Sequence, residues 1–326
     1  MFPVWFRSLS HRRTLAKLLR QAGQAQRLVV ENIPSMIWMS EQQFLYLLAR
    51  EYFQGIGAIV DAGIFLGSST RTFTAGLRDR PDLDRLLEAG RPVRSYDLGL
   101  CDDYMASLIN AHYGTSSKSG DSFLEILQNN IQGCEDCVQF FAGDIRDQTI
   151  DSPIEVLFLD VLKTSEVNAH VIKEFFPRLI PNHSVVIQQD FVHEWLPWIH
   201  VAMGLFQPYF QFLGIVGESP SAVYLNTRKI PDPTPWEEEG GSDLYRTAPL
   251  ARLLELFERA IKPLTSENQR YPVELAKSRM IAERGDKPGA LRLLERLNLR
   301  FDQLHDQPPY YSHPNVMKNY IESSVR

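Results

Sequence analysis

From about residue 55 to residue 230, short apolar runs alternate with amphipathic stretches. Seven of these runs read as strands: Ala58–Val60, Val93–Tyr96, Val138–Phe141, Val156–Leu159, Ser184–Ile187, Phe210–Val216 and Ala222–Leu225. Strands apolar on both sides, with helices between them, are the mark of a mostly parallel sheet covered on both faces. Residues 1–54 instead show helical spacing. Ser40-Glu-Gln-Gln43 reads as a capping box, and Phe44, Leu47 and Leu48 follow on one helix face. Downstream, Leu250, Leu253, Leu254, Phe257 and Ile261 line one helix, and Ala290, Leu291, Leu294 and Leu297 line another. Between them, Ile230-Pro-Asp-Pro-Thr-Pro-Trp-Glu-Glu-Glu-Gly-Gly241 is dense in breakers and acids, which predicts a linker over 231–249. The expected order is therefore a helical segment (1–54), an α/β domain (55–230), a linker (231–249) and a helical extension (250–326).

The first strand runs into Asp61 and then a Gly-x-x-x-Gly turn, Gly63 to Gly67, followed by Ser68, Ser69 and Thr70 at a helix start. A strand, a glycine turn and a helix N-terminus build a nucleotide-sized cradle at the carboxyl end of a sheet. Glycines let backbone approach a ligand, and an acid accepts hydrogen bonds from a ligand ammonium or hydroxyl. The spacing is not the dinucleotide G-x-G-x-x-G. Four more acids close the next four strands: Asp97, Asp144, Asp160 and Asp190. One such acid is ordinarily a turn or cap residue. Five in succession suit a cationic ligand rich in hydroxyl and amino donors.

Charge and cysteine content narrow the classes. A net charge of −6 argues against a general nucleic-acid binder. Cys101, Cys134 and Cys137 are too few for a disulfide framework, and Cys134-x-x-Cys137 has no second pair or histidine cluster to hold zinc. Two reduced structural thiols in a cytoplasmic setting is the reading. No apolar run approaches the roughly 20 residues a bilayer span needs. Met1-Phe-Pro-Val-Trp-Phe6 followed by Arg7, His11, Arg12, Arg13, Lys17 and Arg20 inverts the order of a signal peptide. Residues 1–20 are expected to pack as a helix on their own domain or on a second subunit of a homo-oligomer, with peripheral membrane contact as the alternative.

The glycine turn and the order of acids resemble class I S-adenosylmethionine-dependent methyltransferases over about 55–230, closest to the macrocin O-methyltransferase-like small-molecule branch. The resemblance implies a Rossmann-like, mostly parallel seven-stranded sheet with helical additions at both ends. It implies that Asp61, Gly63, Phe65, Gly67, Ser68, Ser69 and Asp160 surround the cofactor, Asp97 its ribose, and Gly143, Asp144 and Ile145 its adenine. That branch also binds a divalent metal with an acid after the fourth strand and an acid pair after the fifth. Asp160 and Asp190 fit, but Gln189 replaces the pair's first member, leaving a poor Mg2+ site.

Asp190-Phe-Val-His-Glu-Trp-Leu-Pro-Trp198 brings His193, Glu194, Trp195 and Trp198 toward the site. Methyl transfer to a hydroxyl wants a base, and His193, oriented by Asp190 or Glu194, is the candidate, weighed against a capping histidine. Asp160 and Asp190 are the other catalytic candidates. Lys163 is expected to pair with Asp160 or to hold an anionic acceptor. Trp195 and Trp198 are read as stacking residues or as core. The implied function is O-methylation of a small hydroxyl acceptor such as a sugar or glycosylated metabolite. The rivals are a nicotinamide-dependent oxidoreductase and a non-catalytic binding protein of the same fold. Asp97 lies 34 residues past Gly63, where a nicotinamide site puts its acid at about 20.

Overall fold

All seven expected strands form, each within two residues of its expected bounds. A computed structural model describes residues 4–301 and 313–324. The strands β1 (Ala58–Ala62), β2 (Val93–Asp97), β3 (Val138–Ala142), β4 (Ile154–Leu159), β5 (Val185–Gln188), β6 (Phe210–Ile215) and β7 (Ala222–Asn226) make one sheet. Its order is β3-β2-β1-β4-β5-β7-β6. The first five strands pair in parallel, and β7 runs antiparallel between β5 and β6. The sheet grows from β1 one way through β2 and the other way through β4. That reversal opens a crevice at the carboxyl ends of β1 and β4, where ligands lodge in such sheets.

Alternate residues of each central strand feed two different cores, as a period of two requires. Val60, Leu157 and Val186 face one core, with Phe175, Phe206, Leu256 and Phe257. Ile59, Phe158 and Ile187 face the other, with Phe44, Leu48 and Phe73. The helices up to β6 are, in chain order, α1 (Val4–Ala22), α2 (Met39–Leu47), α3 (Ser68–Arg78), α4 (Leu83–Glu88), α5 (Asp103–Tyr113), α6 (Leu124–Asn130), α7 (Ser165–Phe175) and α8 (Pro197–Leu205).

Two expectations about the flanks need correction. The stretch 231–249 is not a linker. It folds into two short helices, Pro235–Gly240 and Leu244–Thr247, and buries Trp236, Leu244 and Tyr245 in the larger core. Its breakers serve as caps: Thr234 accepts from the Glu237 N–H, and Pro235 takes the first helical turn. The C-terminal extension is helical and packs on the sheet domain. Helix Leu250–Ile261 packs on α8 so closely that a Cβ at Gly204 would meet the Leu256 carbonyl oxygen at 1.8 Å. Helices Glu267–Glu283, Lys287–Phe301 and Pro314–Ser324 then build a third apolar cluster around Leu275, Leu294, Met317 and Ile321.

The capping box shifts by two residues. The helix starts at Met39, and the Glu41 carboxylate accepts the Trp38 N–H at 2.6 Å, while Ser40 donates to the Val216 carbonyl. Helix α1 (Val4–Ala22) buries Leu15, Leu18 and Ala22 in the second core, so the chain's own domain takes that face. Met1 to Pro3, part of the membrane alternative, lie outside the described residues. No helix among the described residues is long and apolar enough to cross a membrane. All three cysteines are buried free thiols.

Candidate functional site

The glycine turn is shaped by the protein's own packing. Gly63, Phe65 and Gly67 all have positive φ, at 86°, 47° and 90°. A Cβ at Gly63 would lie 2.4 Å from the Asp160 carbonyl oxygen, and one at Gly67 would lie 2.6 Å from Ile131 Cγ2. The expectation that these glycines make room for a ligand is therefore corrected: each makes room for another part of the chain. Phe65, in a conformation that costs a non-glycine residue about 1–3 kcal/mol, is held by burial against Phe123. Asp97 braces the turn. Its Oδ2 accepts the N–H groups of Ile64 and Phe65 at 2.9 and 2.8 Å, and its Oδ1 accepts that of Gly99 at 2.7 Å. Burial nevertheless pushes its pKa above the ordinary aspartate value, outweighing those bonds.

Asp61 sits inside β1, fully buried, opposite Ser95 on β2 and Phe158 on β4. Thr70 at the start of α3 donates to its Oδ2 at 2.7 Å, and its Oδ1 is buried with no partner among the described residues. Burial pushes its pKa to about 7. Ser68 accepts the Gln42 amide at 3.1 Å, and Gln42 Oε1 in turn accepts the Val29 and Val30 N–H groups. These bonds lay the segment 29–38 across the turn. A small cleft remains beneath it, lined by Pro34, Ser35, Gly63, Phe65, Ser69 and Asp160.

That cleft shares Ser35, Met36 and Asp160 with a cavity of about 690 Å³ at the carboxyl ends of β4 and β5. Lys163 is one of its lining residues. The ammonium donates to Asp160 Oδ1 at 2.7 Å and also to Asp190 Oδ2. Burial, reinforced by the Asp190 charge, pushes Asp160 up to about 7 against the pull of Lys163. Desolvation works against the lysine's charge, but Asp160 and Asp190 together outweigh it and hold its pKa above the ordinary value. The expected Lys163–Asp160 pair thus exists, extended to Asp190. This arrangement corrects the metal reading: the two carboxylates share an ammonium, Gln189 supplies no carboxylate, and two acids do not satisfy a divalent ion. Among the described residues no group of three or more His, Cys, Asp or Glu side chains is placed to hold one.

His193 lines the same cavity, half-buried, but its Nδ1 accepts the Trp195 N–H at 3.1 Å. That bond fixes the neutral ring's proton on Nε2. No hydrogen bond from its ring to Asp190 or Glu194 is found among the described residues. Trp198 is core, donating to the Leu162 carbonyl, and Trp195 packs edge-on to Tyr320 under Arg279.

Of the expected residues, Asp160, Asp190 and His193 line the cavity and Gly63, Phe65, Ser68, Ser69 and Asp160 the cleft. Asp61, Gly67, Asp97, Gly143, Asp144 and Ile145 line neither. Asp144 spends its carboxylate on Arg146, whose guanidinium, through that hydrogen bond, holds it below the usual range. Ile145 is 4% exposed and belongs to the core. Sequence reasoning missed three walls: Ser35 to Trp38, the β6–β7 turn Gly217 to Pro220, and Ser266, Asn268 and Gln269 of the C-terminal extension.

An antiparallel seventh strand inserted between the fifth and sixth of a β3-β2-β1-β4-β5 sheet is the class I methyltransferase fold, and this chain has it. No family model matches the chain, and no curated protein matches it. Solved structures similar to it include an O-methyltransferase from Bacillus cereus in complex with S-adenosylhomocysteine, at 17% identity and TM-score 0.40, covering 66% of this chain and 91% of that one. Cofactor-bound Rv0187 from MTB stands at 14% and 0.39, covering 69% and 90%. A TDP-rhamnose 3'-O-methyltransferase of calicheamicin biosynthesis stands at 18% and 0.39, covering 67% and 93%. At these scores the likenesses carry no weight for the chemistry of this chain.

Proposed function

We propose that the chain is an S-adenosylmethionine-dependent O-methyltransferase acting on a small hydroxyl acceptor, a sugar or glycosylated metabolite. The observation that carries this is that the cleft at the glycine turn and the cavity at the ends of β4 and β5 share Ser35, Met36 and Asp160 as walls. A cofactor at the turn would then meet an acceptor in the cavity beside Asp160. The donor set suits such a cofactor. A carboxylate has about four lone-pair sites, and three backbone bonds on Asp97 leave one for a ribose hydroxyl. The Gly63–Phe65 backbone, Ser69 and Asp160 would hold the amino-acid end.

When bound, the cofactor supplies an electrophilic methyl group on a positively charged sulfur. Asp160, with its pKa near 7, takes the acceptor's proton at its carboxylate, and a base poised near working pH is the efficient choice. Lys163 stays an ammonium and steadies charge on the acceptor oxygen. His193 offers its Nε2 proton to the acceptor and is a positioning residue. The antiparallel seventh strand and the glycine spacing speak against the nicotinamide reading.

Calorimetric titration with S-adenosylhomocysteine, with NADH in parallel, tests the proposal. Binding of the first and not the second is expected; silence from both points to a fold that lost its chemistry. Activity, once an acceptor is found, should survive chelator and fall by more than about 10²-fold in Lys163→Met. Activity lost in chelator and restored by magnesium would overturn the role given to Lys163.

A further inference from the structure

We propose that residues 31–37 form a strap that lifts to admit the cofactor and reseats as a wall shared by cofactor and acceptor, with Gln42 as the positioning residue that seats it. This deepens the methyltransferase reading and rests on it.

The cleft at the glycine turn is too small for the amino-acid end of the cofactor. It has about 10 Å³ of free volume, room for no more than about one water. An ammonium, a carboxylate and the carbons that join them are several times larger, so one wall must move. The floor is fixed. Gly63 packs on the Asp160 backbone, Phe65 is buried against Phe123, and Asp97 braces the turn through three N–H groups. The roof, Pro34 to Ile37, lies in no helix or strand. Residues 26–37 make no backbone–backbone hydrogen bond among the described residues, so lifting the roof breaks none. Ile33 and Ile37, buried in two separate apolar clusters, favour its closed position.

Gln42, fully buried on α2, ties three elements with one amide. Its Oε1 accepts the Val29 and Val30 N–H groups, both at 3.0 Å, and its Nε2 donates to Ser68 Oγ at 3.1 Å, on the first turn of α3. Glu41, the residue before it, takes the Trp38 N–H. The strap is thus pinned just before residue 31 and just after residue 37, and the residues between bow outward together. Ser35 and Met36 line the acceptor cavity as well as the cleft. Reseating over a bound cofactor therefore also sets the acceptor's wall, so the cofactor enters first.

Rapid-filtration binding of radiolabelled S-adenosylhomocysteine, paired with hydrogen exchange over residues 29–38, tests this on the full chain. If the strap gates entry, the observed association rate levels off as ligand concentration rises. In the unliganded protein the 29–38 amides should exchange by local opening at least about tenfold faster than those of β1, and saturating ligand should slow them by about tenfold. Gln42→Met removes the seat without touching the ligand. It should raise the plateau rate and the dissociation rate together by about tenfold while the dissociation constant shifts less than about threefold. A role in stability alone would not speed entry and exit in parallel. Pro34→Gly, which leaves Gln42 in place, should raise the plateau by about threefold through backbone freedom alone, and it carries the test if Gln42→Met does not fold. An association rate that rises linearly with ligand, with 29–38 exchange unmoved by it, overturns the strap and leaves the methyltransferase reading standing. Unchanged rates in Gln42→Met overturn the part given to that residue. Calorimetry that shows no binding removes the methyltransferase reading, and the strap with it.

Discussion

Glu41→Gln is the sharpest test of how the cavity walls are held. Glu41 is 1% exposed; its Oε2 accepts the Trp38 N–H at 2.6 Å and its Oε1 meets the Ser221 hydroxyl at 2.5 Å. Trp38 lines the cavity from the segment crossing the turn, and Ser219 and Pro220 line it from the β6–β7 turn, so one carboxyl ties two walls. Burial, reinforced by the charges of Asp160 and Asp190, pushes Glu41 from 4.5 to about 8 against the two hydrogen bonds. The unfolded chain releases this proton near 4.5 and the folded chain near 8. Between those values the folded state binds the extra proton, so stability falls as pH rises, by up to about 1.4 kcal/mol per pH unit. Over the window the ceiling is ~5 kcal/mol, and local relaxation should reduce it to about 2–4 kcal/mol. Glutamine reproduces the protonated form, with its oxygen on the Trp38 N–H and its amide on the Ser221 oxygen. Urea denaturation of both proteins from pH 4 to 9 should therefore give curves that meet near pH 4, diverge up to pH 8 and run parallel above it, with Glu41→Gln the more stable. Other titrating groups, Asp61 and Asp160 among them, recur in both proteins and largely cancel. Glu41→Ala should instead lose about 2–4 kcal/mol near pH 4, because it leaves the Trp38 N–H and Ser221 hydroxyl unpaired, and this deficit should shrink toward pH 8 as the wild type alone loses stability. A gap between wild type and Glu41→Gln that does not change with pH would refute the reasoning.

Asp97→Ala should weaken S-adenosylhomocysteine by about 1.5–3 kcal/mol and also lower Tm, since three backbone N–H groups lose their acceptor; wild-type affinity by calorimetry would remove Asp97 from the cofactor site. Asp160→Asn should lower turnover by roughly 10²–10⁴-fold with cofactor affinity nearly kept, whereas His193→Ala should cost less than about tenfold. The reverse ranking in steady-state kinetics would return the base role to the histidine. Gly204→Ala should lower stability by more than about 3 kcal/mol, because its methyl meets backbone at 1.8 Å across the α8 crossing; an unchanged denaturation midpoint would show that the two helices separate freely.

The sheet was legible because its signal is local. Val156 to Leu159 and Val185 to Ile187 are apolar on both sides, and only a strand between two cores requires that. The acids at the strand ends were legible for the same reason, since a strand's last residue is read directly from the run before it. The partners of those acids were not legible. Nothing in Asp160-Val-Leu-Lys163 says that its ammonium also reaches Asp190, 27 residues on, because that contact exists only once β4 and β5 lie side by side. The linker reading failed for a related reason. Pro and Glu at 231–239 look like solvated chain, yet Trp236 buries completely and fixes the segment against the core. Local composition cannot report a single long-range anchor. The cavity walls from residues 35–38 and 266–269 went unseen because they come from helical flanks with no motif.

The cluster at the ends of β4 and β5 shows how one substitution changes the chemistry a fold permits. Two carboxylates facing each other in a cavity repel, and some positive charge must sit between them. A third carboxylate would favour a divalent ion there. With Gln189 in that place the charge is supplied from the chain itself, by Lys163. An ammonium is held by three directed hydrogen bonds and cannot expand its coordination, so it leaves neighbouring acids a proton-binding role that a divalent ion would suppress. Burial, reinforced by the Asp190 charge, keeps Asp160 near 7 despite that ion pair. The same replacement leaves Gln189 Oε1 buried without a hydrogen-bond partner among the described residues. On the proposed mechanism, proton acceptance by Asp160 is one consequence of this departure from the metal-binding pattern.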